Sequence, residues 1–242
     1  MSFASAIELY CGRYQDVLAH VAVVDCVITD PPYGKDTHAG ADDGVAGDAL
    51  PDGSTRIAIE YDFWTPADVE AFVDFWAPRT RGWFACMTSD DLVPAYKAAY
   101  RAAGLYAFAP VSIIQPRPRM LGDGPGSWTV HMCVARPRTK EFASWGSRPG
   151  SYPSYCDKTG ICAGAKPLST MREIVRDYSR PGELVCDPCA GGGTGLLAAA
   201  IEGRRALGSE RDPDRYAKAL QRFAGEYQKV PTGQQSLFGE SR

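Results

Sequence analysis

The stretch Leu184-Val185-Cys186-Asp187-Pro188-Cys189-Ala190-Gly191-Gly192-Gly193-Thr194-Gly195 decides the fold. A short apolar run ends on an acid, a glycine loop follows, and Thr194 opens an apolar run of helical length to Ile201, stopped by Gly203. This is strand, loop and helix in succession. Glycines at 191, 193 and 195 let a backbone approach a ligand closely and turn its N–H groups toward it. Arg205 to Glu210 reads as the next strand. Its final acid stands about twenty positions after Gly191, where a dinucleotide-type fold places a carboxylate on ribose hydroxyls. There is no Gly-Lys-Ser/Thr, which excludes a P-loop nucleotidase, and the last helix-packing glycine of the pyrophosphate fingerprint is missing. The expected ligand is nucleoside-like, without a required pyrophosphate contact. A tight turn with no ligand is the bland alternative for the loop alone.

Outward from this loop, strands and helices alternate. Leu168, Met171, Ile174, Val175 and Tyr178 form a helical stripe before the loop's strand. Asp212-Pro213 starts a helix after Glu210, carrying Tyr216, Leu220 and Phe223. Nearer the N-terminus, Val21 to Thr29 is an apolar, β-branched run that predicts a buried strand. Thr65-Pro66 with Asp68 starts a helix whose face is Val69, Phe72, Val73 and Trp76. Trp83 to Met87 reads as a strand. Ser89 is expected to cap the helix bearing Leu92, Val93, Tyr96 and Tyr100, closed by Gly104. Leu105–Ile114 and Trp128–Ala135 are two more strands, joined by a basic, Pro/Gly-rich linker from Gln115 to Ser127. Loops are expected over Pro137–Ala165. The pattern predicts an α/β domain with a mostly parallel sheet and helices on both faces. One catalytic domain spans 1–230. Segments 34–62, 115–127 and 136–165 are candidate lid or target-recognition loops, and 231–242 is a tail.

Composition sets the class. Of 242 residues, 45% are hydrophobic and 23% charged, enough for a sizeable core. No apolar run approaches a membrane span, no signal-type N-terminus is present, and eight cysteines are scattered through the chain, so a reducing cytoplasm is expected. With a formal net charge of −3, attraction to nucleic acid needs a local basic face. Acids dominate Asp30 to Glu70, while Arg101, Arg117, Arg119, Arg136, Arg138, Lys140 and Arg148 dominate Arg101 to Pro153. A phosphate-bearing partner would meet the second stretch. For a charge run alone, an ordinary solvated surface is the competing reading.

Asp30-Pro31-Pro32-Tyr33 directly follows the Val21–Thr29 strand, at the strand end where open parallel sheets bind ligands. Two prolines fix the backbone and remove two N–H donors. A carboxylate, a bare carbonyl and an aromatic ring suit an exocyclic amino group on a flat base: the first two accept its N–H bonds and the ring stacks. A proline-terminated strand entering a turn is the bland alternative.

Together, Asp30-Pro31-Pro32-Tyr33 and Asp187 through Gly195 resemble the amino-directed DNA methyltransferases, which use S-adenosylmethionine to methylate N6 of adenine or N4 of cytosine. The order, with the catalytic motif first and the cofactor loop last, is similar to their permuted β group. Lys166-Pro167-Leu168 and Gly203 to Glu210, with Tyr216 beyond, also resemble that group. The resemblance implies a Rossmann-like methyltransferase fold of permuted motif order and a site-specific, restriction-modification type of activity on double-stranded DNA. It implies a bacterial or phage-encoded cytoplasmic enzyme. Asp30, Pro31, Pro32 and Tyr33 would be catalytic, acting on a base flipped from the duplex. Asp187, Pro188, Ala190, Gly191, Gly193, Thr194, Gly195, Glu210 and Lys166 would bind the cofactor, with Lys166 toward its methionine carboxylate. Arg117, Arg119, Arg136, Arg138 and Lys140 would bind DNA. Asp at the motif's first position favours adenine, since N4-cytosine enzymes more often carry Ser there. The alternatives are N4-cytosine methylation, or a DNA- or cofactor-binding module without turnover, since Arg13 and Cys189 depart from the family pattern.

No metal is expected. A zinc site built from Cys156, Cys162, Cys186 and Cys189 has unsuitable spacing, and Cys189 beside the loop is misplaced for a cytosine-C5 nucleophile. In the tail, Gln234-Gln235-Ser236-Leu237-Phe238 resembles clamp-docking peptides of bacterial DNA enzymes. Gln234, Leu237 and Phe238 would be its anchors, with self-packing or a homodimer contact as the competing reading.

Overall fold

The computed structural model describes residues 6–37, 62–119, 127–139, 145–154 and 166–229, without the side chains of 117–119 and 227–229. Among these residues, nine strands form one sheet: β1 (Ile7–Cys11), β2 (Cys26–Thr29), β3 (Phe84–Thr88), β4 (Tyr106–Ala107), β5 (Val111–Arg119), β6 (Ser127–Arg136), β7 (Ser151–Pro153), β8 (Leu184–Asp187) and β9 (Arg205–Glu210). The spatial order is β1-β9-β8-β2-β3-β6-β5-β7, with β4 paired to β6. From β1 to β3 every pairing is parallel; β6 is antiparallel to β3, β4 and β5, and β7 is parallel to β5. The helices are α1 (Tyr14–Val17), α2 (Pro66–Trp76), α3 (Val93–Ala102), α4 (Leu168–Tyr178), α5 (Thr194–Ile201) and α6 (Pro213–Lys229).

Alternation along the central strands explains why they read as unbroken apolar runs. Cys26, Ile28, Ala85, Met87, Val185 and Ala206 face one side, against Met171, Ile174 and Val175 of α4 and Leu196 of α5. Val27, Phe84, Cys86, Cys186 and Leu207 face the other, against Phe72 and Trp76 of α2 and Tyr96 and Tyr100 of α3. Both faces are covered, as a parallel sheet requires. Helix α2 starts as its sequence predicts. The Thr65 hydroxyl accepts from the Asp68 N–H and the Asp68 carboxylate accepts from the Thr65 N–H at 2.8 Å. No helix among the described residues is long and apolar enough to cross a membrane.

Several elements differ from the sequence reading. The first central strand is only Cys26–Thr29, joined upstream by one bridge from Val24 to Thr80. Leu105–Ile114 divides into β4 and β5, and β5 runs on through the expected linker to Arg119. Its register with β6 shifts between Ile114 and Arg119, so Pro116 and Pro118 fall where the ladder is interrupted and their missing N–H groups are tolerated. A short β7 occupies part of the expected loop region. Ser89 does not cap its helix: a 3₁₀ turn, Asp90–Leu92, intervenes, and the Ser89 hydroxyl accepts the Gly34 N–H at 2.9 Å.

Candidate active site

Strand β8 leads through α5 to β9 on one side, whereas β2 leads through α2 to β3 on the other. The boundary between β8 and β2 is therefore the point where the winding reverses, and the carboxyl ends of the two strands open a crevice there. Asp187 ends β8 and Asp30 follows β2, so the two sequence motifs, far apart in the chain, flank this crevice. A hydrogen bond joins the strand ends: the Thr29 hydroxyl donates to Asp187 Oδ1 at 2.7 Å. The Cys189 N–H reaches the same oxygen at 3.3 Å.

Asp187 is 4% exposed. Burial, reinforced by the nearby charges of Asp30 and Glu210, pushes its carboxyl up to about 7 against the donors Thr29 and Cys189. Glu210 ends β9 beside it. Its Oε2 accepts the Gly191 N–H at 2.7 Å and its Oε1 the Asp212 N–H at 2.8 Å. Three acids around one crevice suit a cationic ligand that also presents hydroxyl donors.

The glycines of the loop differ in what they make room for. At Gly191, φ is +53° and a Cβ would meet nothing within 4 Å, so this glycine borders open space. At Gly193, φ is +72° and a Cβ would fall on the ring of Phe223 from α6. That glycine accommodates the protein's own helix. A Cβ on Gly195 would stand 2.6 Å from Asp187 Oδ2. Arg222 of α6 donates to the Gly192 carbonyl at 3.2 Å and to the Thr194 hydroxyl at 2.7 Å. Ser209 holds the Pro188 carbonyl at 2.7 Å, and the Ala190 N–H bonds the Ser209 carbonyl at 2.9 Å. The loop is thus fixed from β9 and α6.

Across the crevice, both oxygens of Asp30 are engaged. The Tyr33 hydroxyl donates to Oδ1 at 2.9 Å and the Lys166 ammonium to Oδ2 at 2.6 Å. Lys166 Nζ also lies 5.2 Å from the centre of the Tyr33 ring. Lys166, expected toward a methionine carboxylate, is placed on Asp30. Tyr33, expected to offer its ring to a base, is 6% exposed and packs with the Ile28 and Met87 side of the core. The segment Asp30 to Gly34 is held from two sides, by Ser89 on Gly34 and by the Trp64 N–H on the Tyr33 carbonyl at 2.9 Å.

The arginines expected to bind DNA separate. In β5, Ile114 pairs with Thr129 and Arg119 with Ser127, beyond the level at which Thr88 of β3 pairs with His131. Arg117 and Arg119 therefore lie at the crevice end of the sheet. Antiparallel β6 runs the other way, and Arg136, five residues past His131, comes out about 17 Å further along. Its guanidinium lies 5.7, 5.7 and 5.5 Å from the ring centres of Trp83, Tyr106 and Phe108, and that of Arg138 5.3 Å from Tyr106. This pair sits at the end of the sheet opposite Asp30. Lys140, and Gln234, Leu237 and Phe238 of the tail, lie outside the described residues, as do positions 38–61 of the first loop.

Sequence reasoning missed Thr29, Ser89, Arg222 and Trp128. The first three act through tertiary hydrogen bonds that no local pattern announces. Trp128 is 51% exposed at the crevice end of β6, and a large aromatic at a strand start was the available signal. The Cys189 thiol is raised well above its ordinary value by burial and then by Asp187 and Glu210, which opposes a thiolate nucleophile there. Cys156 and Cys162 lie outside the described residues. Among the described ones, no cluster of His, Cys, Asp and Glu could hold a metal ion.

Residues 136–221 match the DNA methylase family of N6/N4 methyltransferases, a match that takes in Lys166, the glycine loop and Glu210 and leaves Asp30–Tyr33 outside it. No curated protein sequence matches the chain. Among solved structures, the M1.HpyAVI complex with SAM is similar over 89% of this chain and 98% of its own, with 17% identity and a TM-score of 0.65. TTHA0409 of Thermus thermophilus, provisionally named a DNA modification methylase and solved with S-adenosyl-L-methionine, is similar over 91% and 94%, with 24% identity and a TM-score of 0.61. PvuII DNA methyltransferase, cytosine-N4-specific, is similar over 93% of both chains, with 13% identity and a TM-score of 0.63. The shared feature is the Rossmann-like fold of these methyltransferases, a mostly parallel sheet with helices on both faces.

Proposed function

We propose that this chain is a DNA methyltransferase that moves a methyl group from S-adenosylmethionine to N6 of adenine, in line, on a base flipped from the duplex. The observation that carries the reading is the meeting of Asp30 and Asp187 across the winding switch point, with Tyr33 and the Gly191 loop on opposite sides of the crevice. The family match over 136–221 supports the cofactor half.

The residues present fit such a cofactor. The open space at Gly191 leaves room beside a backbone turn, Glu210 keeps lone pairs for ribose hydroxyls, and buried Asp187 is met by no cation among the described residues. Asp187 would hold the amino-acid end and Glu210 the ribose, with Pro188, Ala190, Thr194 and Gly195 shaping the loop between them. When bound, the cofactor supplies a sulfonium methyl group as the electrophile.

Asp30 performs the rest of the chemistry as an acceptor. Adenine N6 is a poor nucleophile because its lone pair is delocalised into the ring. An N–H···carboxylate bond to Asp30, with a second to the Pro31 carbonyl, favours the pyramidal nitrogen that attacks. Positive charge then develops on that nitrogen, and the carboxylate stabilises it without reorganising. As N6 takes up the methyl group it would shed one proton, and Asp30 is the carboxylate placed to receive it. Pro31 and Pro32 keep this turn rigid, and Tyr33 orients Asp30 through its hydroxyl.

Labelled methyl transfer to DNA, followed by digestion to nucleosides and sequencing of the modified sites, tests the reading. N6-methyladenine is the expected product. N4-methylcytosine would replace adenine by cytosine, the specificity of the PvuII enzyme, and absence of transfer with intact cofactor binding would leave a binding module.

A further inference from the structure

Lys166 carries more than a binding role. Its side chain is 10% exposed and its ammonium lies 2.6 Å from Asp30 Oδ2, while Tyr33 holds Oδ1. In this arrangement an incoming amino group must compete with an ammonium for its acceptor. Worse, the attacked nitrogen becomes positive, and a cation held on the same carboxylate opposes that charge. The arrangement is a resting one, and methyl transfer needs Lys166 elsewhere. A largely buried ammonium cannot simply be released, because it needs another anion. Asp187 ends β8 and Asp30 follows the neighbouring parallel strand β2, so both acids flank the crevice at the strand ends, close enough for the Asp30 charge to be felt at Asp187. An α-amino acid group placed in that crevice presents an ammonium for Asp187 and a carboxylate for Lys166.

Resting on the function proposed above, we infer that Lys166 is a charge lock: it neutralises Asp30 until the carboxylate of the cofactor draws it away, so that a target base is accepted only after the cofactor. Cofactor and base then bind with positive coupling, although they touch different residues. Lys166 is a positioning residue in this scheme, acting on the base through Asp30.

The test uses a duplex carrying the methylation site found by the assay above, with the target base intact and 2-aminopurine beside it, whose fluorescence rises when its stacked neighbour flips out. Binding and flipping are titrated with no ligand, with S-adenosylhomocysteine, and with 5′-methylthioadenosine, which lacks the amino-acid carboxylate. For the wild type, S-adenosylhomocysteine should tighten duplex binding about tenfold, and 5′-methylthioadenosine should leave it unchanged. Lys166→Met should flip the base without ligand and show a coupling factor near one, and Lys166→Arg should restore coupling. Equal effects of the two nucleosides on the wild type, or wild-type coupling in Lys166→Met, would overturn the lock. The nucleoside comparison needs no variant and decides the matter even if Lys166→Met does not fold. If calorimetry shows no S-adenosylhomocysteine binding to the wild type, the functional reading fails and takes the lock with it; binding without coupling removes the lock alone.

Discussion

Asp30 and Lys166 stabilise one another where neither is well solvated, and this sets what substitution does. Asp30→Ala should reduce turnover at least about a hundredfold, the scale of losing one preorganised transition-state partner, while cofactor affinity by calorimetry is kept or tightened, since Lys166 no longer has to leave Asp30. The same change takes the Asp30 carboxylate from a mostly buried ammonium, so the melting temperature should fall, and Asp30→Ala/Lys166→Met should recover much of it. A wild-type melting temperature in the single variant would show that the ion pair contributes nothing to stability. The two positive-φ glycines separate in the same way. Gly191→Val should weaken cofactor binding, since it places a side chain in open space beside Glu210 and strains a backbone at φ +53°. Gly193→Val should unfold the loop from α6, and Phe223→Ala should partly rescue it, because the clash is with that ring. Both roles look identical in the sequence, where each is a glycine in a turn. Only the packing of a helix some thirty residues later distinguishes them.

At the level of elements, the central strands, the glycine loop and helices α2, α4, α5 and α6 were legible because burial on both faces, a capping box and turn chemistry are local properties. The direction of β6 was not. Nothing within Ser127–Arg136 says that it runs against β3, and its direction decides which arginines share an end with Asp30. Neutralising Arg117 or Arg119 should lower the salt slope of log K for DNA by about one unit each. Neutralising Arg136 and Arg138 should leave the slope unchanged and instead lower stability, through lost stacking on Trp83, Tyr106 and Phe108. A salt slope that responds equally to both pairs would place DNA at both ends of the sheet. Trp128→Ala should weaken duplex binding with little change in melting temperature, since half of the side chain is already exposed.

On the scale of the whole molecule, the burial of Asp187 couples stability to pH. Its carboxyl titrates at about 7 in the fold against 3.8 in the open chain, so the folded state holds the proton more tightly. Its contribution to stability is therefore fully present below about pH 4 and is lost as pH rises through 7, by up to about 4 kcal/mol for one such group. Asp187→Asn should match the wild type in melting temperature near pH 4 and exceed it near pH 8, while losing cofactor affinity. Cofactor affinity of the wild type should move the opposite way, rising with pH through 7 as the acid ionises to meet an ammonium. A flat affinity profile between pH 6 and 8 would remove Asp187 from the contact. The charge cluster behind this was partly legible, since Asp30, Asp187 and Glu210 were each singled out; their mutual influence depends on a fold that brings three strand ends together. Helix α6 has a different consequence. Phe223 and Arg222 set the shape of the glycine loop from outside, through a ring beneath Gly193 and bonds to Gly192 and Thr194. The loop is therefore like a drawer whose latch is mounted on another piece of furniture: prising α6 from the sheet should shorten the residence time of whatever occupies the crevice, with no atom of the crevice itself altered.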